Sequence, residues 1–162
     1  MVEPQIKRIQ AKRLIGMSLE MSFADNKTVE LWRAFMPRKS EVSNAIDSDL
    51  FSIQIYDPDF FKTFNPKGKF RKWAAVEVSE VIMAPHGMQV FDLPSGEYAV
   101  FHYKGNPQEG ASMFQYIFGV WLPKSGYELD DRPHFEVLGA KYKNNDPDSE
   151  EEIWIPVWAK VG

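Results

Sequence analysis

Glu136 carries the clearest chemical signal in this chain. It lies in His134-Phe135-Glu136-Val137-Leu138-Gly139-Ala140-Lys141-Tyr142, a run that otherwise reads as a half-buried strand. Strand alternation puts Glu136, Leu138 and Ala140 on one face, with Phe135, Val137 and Gly139 on the other. An ionised carboxylate is costly to bury unless it is paired or neutralised, so an acid on an apolar face needs a partner. Two chemistries follow. A carboxylate among aromatic rings can hold a lipophilic cation, with the charge and the ring faces acting together. A carboxyl with a raised pKa can act as a general acid or base. The plain alternative is an edge-strand acid paired with Lys141 or Arg132. Glu77 interrupts Trp73-Ala74-Ala75-Val76-Glu77-Val78 in the same way and is a second candidate, with solvent exposure as its alternative. Tyr127 follows Gly126 after a helix stop; its phenol could hydrogen-bond a ligand or Glu136, or pack over the helix end with the hydroxyl in water. Trp32, Trp73, Trp121 and Trp154 are candidate walls of such a site, and core packing is the alternative for each. Were the chain an enzyme, Glu136 and Tyr127 would be the candidate catalytic residues.

Other chemistries find no residues to carry them. His86, His102 and His134 have no ligand-like spacing with one another or with carboxylates, so no metal site is expected. Cysteine is absent, which removes disulfides, thiolate metal sites and cysteine nucleophiles. There is no Gly-rich phosphate loop, no serine nucleophile elbow and no dinucleotide fingerprint, so no cofactor is expected. The net charge of -4, from 23 acids and 19 bases, argues against a nucleic-acid surface, since phosphate binding needs clustered cations. The one basic run, Lys67 to Lys72, reads as a solvated turn. No apolar run approaches the roughly 20 residues of a membrane span, and the N-terminus lacks the apolar core of a signal peptide. A cytoplasmic protein is expected. A hydrophobic content of 44% with 14% aromatics excludes disorder and allows an aromatic-lined cavity.

The elements that must position these residues come twice. One helix is expected from near Asn26, with Val29, Trp32 and Met36 on one stripe, Leu31 and Phe35 beside it, and Pro37 as its stop. A second opens at Asn106-Pro107-Gln108-Glu109, read as N-cap, Pro at the first position and a capping-box acid at the third. Met113, Phe114, Ile117, Phe118, Trp121 and Leu122 follow at helical spacing until Pro123. Both helices end alike, in Phe35-Met36-Pro37-Arg38-Lys39-Ser40 and Trp121-Leu122-Pro123-Lys124-Ser125-Gly126. A strand-like run precedes each (Arg13 to Phe23; Gly96 to Tyr103) and two follow each (Phe51 to Tyr56 and Lys72 to Ile82; Phe135 to Tyr142 and Ile153 to Lys160). The halves correspond at an offset of about 86 residues, the separation of Pro37 and Pro123, with Pro85-His86-Gly87 as the joint. An α+β fold is therefore expected. It is one domain over 1–162 with pseudo-repeats at about 1–84 and 85–162, each strand–helix–strand–strand, joined in a mainly antiparallel sheet. Two helices on one face would leave a central ligand cleft between them.

Leu122-Pro123-Lys124-Ser125-Gly126-Tyr127-Glu128, Asp131-Arg132-Pro133-His134-Phe135-Glu136, Asp146-Pro147 and Glu152-Ile153-Trp154-Ile155-Pro156-Val157 together resemble the GyrI-like effector-binding family, the ligand-sensing domain that follows a DNA-binding module in many AraC-type and MerR-type regulators. The resemblance covers the C-terminal third by motif and the rest by architecture. It implies a tandem strand–helix–strand–strand fold and a pocket for hydrophobic, often cationic, small molecules. In the family an acid in the segment matching Phe135-Glu136 lies at the pocket floor, and aromatic residues wall it, which favours Trp121 and Tyr127. A helix-turn-helix module is not expected in this polypeptide, so neither is direct nucleic-acid contact. The expected role is a sensor or sequestering protein. The resemblance also leaves open hydrolysis of electrophilic toxic molecules by the pocket Glu and Tyr, or a gyrase-inhibitor-like module whose partner is gyrase or a separate regulator. Haem-binding relatives share the fold, but no residue here argues for haem.

Overall fold

The computed structural model of the protein describes residues 3–80 and 83–161. Val81 and Ile82, the end of the expected Lys72 to Ile82 run, lie outside the described residues. Among the described residues nine strands form: β1 (Gln5–Ile9), β2 (Lys12–Met21), β3 (Leu50–Ile55), β4 (Phe70–Glu77), β5 (Gln89–Leu93), β6 (Gly96–Lys104), β7 (Tyr127–Leu129), β8 (His134–Leu138) and β9 (Glu150–Ala159). Eight of them make an antiparallel sheet in the order β1-β6-β9-β8-β3-β4-β2-β5, and β7 pairs with the end of β9. With its helices, this is the α+β fold expected. β1, β5 and β7 are additional to the strands read from the sequence. β1 and β5 are edge strands whose residues are mostly exposed, so they lack the apolar alternation that marks a half-buried strand.

The strand order is symmetric about the β8–β3 seam. β9 and β4 flank it, then β6 and β2, then β1 and β5. Three of the four equivalent strand pairs begin 84 residues apart (5 and 89, 12 and 96, 50 and 134) and the fourth, β4 and β9, 80 apart, while the extra two residues at the proline stops fall within the helical segments. The edge strands cross between halves. β1 precedes β2 in the chain but pairs with β6, while β5 precedes β6 but pairs with β2. Each half thereby supplies the other's outer ladder of backbone hydrogen bonds.

The first helix, α1 (Thr28–Phe35), buries Leu31 and Phe35, whereas Val29 and Met36 are 60% and 39% exposed. The expected stripe is thus rotated by one row. Two adjacent apolar rows on a short helix are equivalent locally, and packing against β2 and β4 chooses between them. The chain then tightens into a 3₁₀ turn, Met36–Glu41, with Pro37 near its start. The second helical segment begins with a 3₁₀ turn, Pro107–Glu109, so the α-helix starts later than expected, at Ala111. Asn106 donates its side-chain amide to Asn145 Oδ1 at 3.1 Å. The segment runs through α2 (Ala111–Tyr116), a π-helical turn (Ile117–Trp121) and α3 (Leu122–Lys124). Its stripe is the one read from the sequence: Met113, Ile117 and Trp121 are buried, with Phe114, Phe118 and Leu122 partly so. Gly119 sits exposed in the π turn with open space where a Cβ would go. Gly119→Ala should therefore stabilise the fold by about 0.5–1 kcal/mol, through lower unfolded-chain entropy and better helix propensity. A rise in urea midpoint at constant m-value would show it.

Both helices lie on one face of the sheet. α1 packs with Ile15, Met21, Ala74, Val76 and Val78, and the second helix packs with Ala99, Phe101, Ile153, Ile155 and Val157. The other face bears Leu14, Ile53, Trp73, Leu93, Tyr98, Phe135 and Trp154 as one cluster with no helix in it. Leu93, Tyr98 and Phe135 are nevertheless 0–1% exposed. A flat sheet would leave them open to water, so the sheet itself rolls to enclose this face. Gly16 of β2 permits the tight β2–β4 approach, since a Cβ there would lie 2.7 Å from Ala75 Cα.

Candidate functional site

Between the two helices the sheet presents a polar floor. On the helix face, register places Lys72 of β4, Gln54 of β3 and His134 of β8 in one row, and Ala74, Ser52, Glu136 and Ile153 in the next. Glu151 lies two residues from Ile153 on β9, so alternation points it to the same face. Ser52, Gln54, His134 and Glu151 are buried, and Glu136 and Lys72 are half-buried. Gln54 donates to Ser52 Oγ at 3.0 Å, and Lys72 Nζ donates to Thr28 Oγ1 at 3.1 Å, tying the floor to α1. Such a strip in the middle of a sheet is costly unless its groups satisfy one another or a guest.

Aromatic rings wall it. Residues 56–69, between β3 and β4, carry Tyr56, Phe60, Phe61 and Phe64. Phe60 is buried with the α1 core. Phe61 packs at the margin of the same core and also stacks on Phe118 of the π turn, with centroids 4.9 Å apart and planes 15° apart. His134 lies 5.5 Å from Phe61 and 6.1 Å from Phe118, nearly parallel to both. Tyr56 meets Phe61 and His134 edge-on at 4.9 and 5.0 Å. The rings of both halves thus close over the floor.

The electrostatics follow from burial. Glu151 is pushed up to about 9, first by desolvation and then by the charge of Glu136 and its hydrogen bond, with Lys72 opposing. Burial lowers Lys72, against the pull of Glu136 and Glu151. His134 is lowered to about 3 by desolvation and then by Arg132, so its imidazole is neutral. Burial and Glu136 raise the Tyr56 phenol, and burial, Glu151 and Glu136 raise Tyr142. Burial beside Glu136 favours the neutral form of Glu151, and the phenols of Tyr56 and Tyr142 feel the same carboxyl charge. That arrangement can accept a cation and release a proton in exchange.

The structure divides the residues proposed from sequence. Glu136 faces the cleft floor. Its alternative partners are engaged elsewhere: Arg132 Nε donates to Asp130 at 2.8 Å, and Lys141 lies 3.9 Å from Glu150. Trp73 and Trp154 belong to the cluster on the opposite face, so the sheet separates Trp73 from Glu136. Trp121 is buried in the helix–sheet core with Phe101 edge-on at 5.2 Å, and Tyr127 of β7 stacks on it at 6.3 Å. The phenols that feel Glu136 are Tyr56 and Tyr142 instead. Trp32 packs partly buried against Phe35, on the α1 side. Glu77 is paired with Lys12 at 3.2 Å. Among the described residues no group of three or more His, Cys, Asp or Glu is placed to hold a metal, and no helix is long and apolar enough to cross a membrane. Sequence reasoning missed Glu151, Lys72 and Phe61. The alternation of Ser52-Ile53-Gln54 and Glu151-Glu152-Ile153 was the only available signal, and it shows a face without saying what lies opposite.

Two cavities adjoin the helices. One of about 60 Å³ opens at the cleft end, lined by Tyr56, Phe61, His134, Arg132 and the acids Asp57, Asp130 and Asp131. The other, about 330 Å³, lies where β5 begins beside Gly16 and is lined by Met17, Leu19, Leu31, Ala34 and Arg71. The only charge in its lining is the cationic Arg71, a poor seat for a cation. The smaller cavity is lined by His134, two residues before Glu136 on β8, and by Tyr56, whose phenol feels the charge of Glu136, so its chemistry suits a cation better despite its smaller volume.

Comparison with known proteins agrees with this architecture. A family model described as GyrI-like small molecule binding domain matches residues 2–157. A transcriptional regulator of Pseudomonas aeruginosa, BrlR, is 29% identical over 147 residues, which are 90% of this chain and 52% of the regulator; the chain thus spans about half the length of this curated relative. The EcmrR C-terminal domain superposes with a TM-score of 0.70 at 16% identity, covering 99% of each chain. SAV2435, solved with bound tetraphenylphosphonium, superposes with a TM-score of 0.69 at 17% identity, covering 96% of this chain and 94% of its own. At these identities the solved structures share the fold.

Proposed function

Since the chain belongs to the GyrI-like small molecule binding domain family, related to the effector domains of transcription regulators, we propose that it binds hydrophobic organic cations in the cleft between its two helices. Glu136 is the principal counter-charge in this reading. One observation carries it: the half-buried Glu136 shares the helix face of the sheet with the buried Glu151, beside the clustered rings of Tyr56, Phe61, Phe118 and His134. A carboxylate in a low-dielectric site attracts a cation far more strongly than in water, and ring faces add cation–π attraction and apolar area. A hydrophilic cation would lose more hydration than the site returns, so the ligand must be lipophilic. Sensing or sequestration, alone or with a regulatory protein partner, is the role that fits such a site.

Calorimetric titration with tetraphenylphosphonium tests the reading directly. Saturable one-to-one binding is expected, together with net proton release seen as a dependence of the measured heat on buffer ionisation enthalpy. Absence of saturable binding for this and other lipophilic cations at millimolar concentration would sink it.

A further inference from the structure

The cleft lacks room for the ligand it is built to attract. The cavity beside the acids is about 60 Å³, whereas pockets for drug-sized molecules run to roughly 300–1,000 Å³. Something must leave when a guest enters. Of the rings that line this cavity, Phe61 differs in setting from its neighbours. Phe118 sits in a helical turn and His134 on a central strand paired with β3, so backbone hydrogen bonding fixes both. Phe61 sits on the connection between β3 and β4, where the preceding residue, Phe60, is buried with the α1 core at 9% exposure. The loop is therefore pinned at Phe60, and Phe61 reaches across the cleft to the other half. It lies within 15° of the plane of Phe118 and 21° of the plane of His134, and Tyr56 closes the edge.

We propose that Phe61 is the protein's own stand-in for its ligand, and that the site prefers planar aromatic cations, which replace Phe61 on the surface formed by Phe118 and His134. Those two rings give a flat guest the same stacking they give Phe61, and the guest's charge then falls near Glu136, which follows His134 by two residues on the same strand face. The exchange is nearly balanced in ring contacts, so the charge decides it. A neutral flat molecule has little to gain over Phe61, and a charged molecule without a flat face cannot replace its stacking. The inference rests on the reading of Glu136 given above, and two variants separate them.

Ethidium is a suitable flat cationic probe, with tetrabutylammonium as a cation lacking rings. Phe61→Ala should bind ethidium roughly 2- to 10-fold more tightly than the wild type, the range set by one lost competing ring pair, and associate faster. Phe118→Ala should bind it more weakly, and the preference for ethidium over tetrabutylammonium should shrink. Phe61→Leu, which keeps an apolar side chain without the flat face, should behave as Phe61→Ala and guards against a general loosening of the loop. Weaker or unchanged ethidium binding in both Phe61 variants overturns displacement, because Phe61 would then be a wall or a bystander. Unchanged affinity in Glu136→Gln, with the Phe61 effect intact, overturns the counter-charge reading and leaves displacement standing.

Discussion

Glu136→Gln should weaken binding of a lipophilic cation by about 30- to 200-fold while leaving the protein folded. Glutamine keeps the shape of the side chain and its position opposite Ser52 and Ile153 on the neighbouring strands, so packing is conserved. What disappears is the charge that compensates the guest and helps hold Glu151 protonated. Removing one member of a buried charge pair costs about 2–5 kcal/mol, much of it from the charge left behind without a partner. The lower part of that range applies here, because Glu151 remains in place and can ionise in its stead. Calorimetry with tetraphenylphosphonium measures the loss. A neutral aromatic ligand is the control, since its affinity should change little. Equal affinities of wild type and variant for the cation would remove Glu136 from the site. The double variant Glu136→Gln, Glu151→Gln should fall below either single one, and by more than their sum if each carboxyl covers for the other.

The second large effect concerns pH. Glu151 titrates near 9 in the folded protein against an ordinary 4.5, so folding favours its neutral form. Its contribution to stability is complete below pH 4.5 and is lost as pH rises toward 9. His134 works in the opposite sense. Its folded value near 3 lies below the ordinary 6.5, so its contribution is complete above pH 6.5 and is lost as pH falls toward 3. Between 4.5 and 6.5 the two slopes oppose, and stability should form a plateau there with a decline on each side. From pH 6.5 to 9 the alkaline decline is on the order of 3 kcal/mol, at about 1.4 kcal/mol per unit. Burial holds Lys72 below its ordinary 10.5, which adds stability as pH approaches 10.5, so the alkaline limb is best followed no further than 9. Thermal unfolding between pH 4 and 9 should show the plateau, and Glu151→Gln should abolish the alkaline limb. An alkaline limb that persists in Glu151→Gln would mean the carboxyl is not held neutral by the fold. Cation affinity has the matching dependence: it should rise between pH 6.5 and 9, because a bound cation favours the ionised pair and displaces its proton.

Much of this protein was legible in its sequence. Six of the nine strands lie where apolar alternation places them, and the stripe Met113, Ile117 and Trp121 of the second helix is the one its spacing implies. Glu136 stood out because an acid is rare on an apolar strand face, and the structure turns it toward the cleft floor. The aromatics were harder to assign. Trp73 alternates with Ala74, and nothing local says which of the two faces the helices; the sheet puts Trp73 on the far side. Trp121 and Tyr127 stack on each other at the helix–sheet core, while the ring that closes the cleft is Phe61, on a connection with no periodicity to read. On α1 the packed row is Leu31 and Phe35 rather than Val29 and Met36.

The division has one cause. Alternation and helical spacing are properties of neighbours in the chain, enforced by backbone geometry within a few residues, so the elements and the out-of-place acid were determined by sequence alone. Strand register and order are properties of residues far apart, chosen by the free energy of the whole packed sheet. Ser52 meets Glu136 across the β3–β8 seam, Glu151 arrives from β9, Lys72 arrives from β4, and β1 and β5 cross to the opposite halves. No local pattern encodes those meetings. The tertiary structure therefore decided that the acid that stood out in the sequence shares its sheet face with a second, buried carboxyl, Glu151.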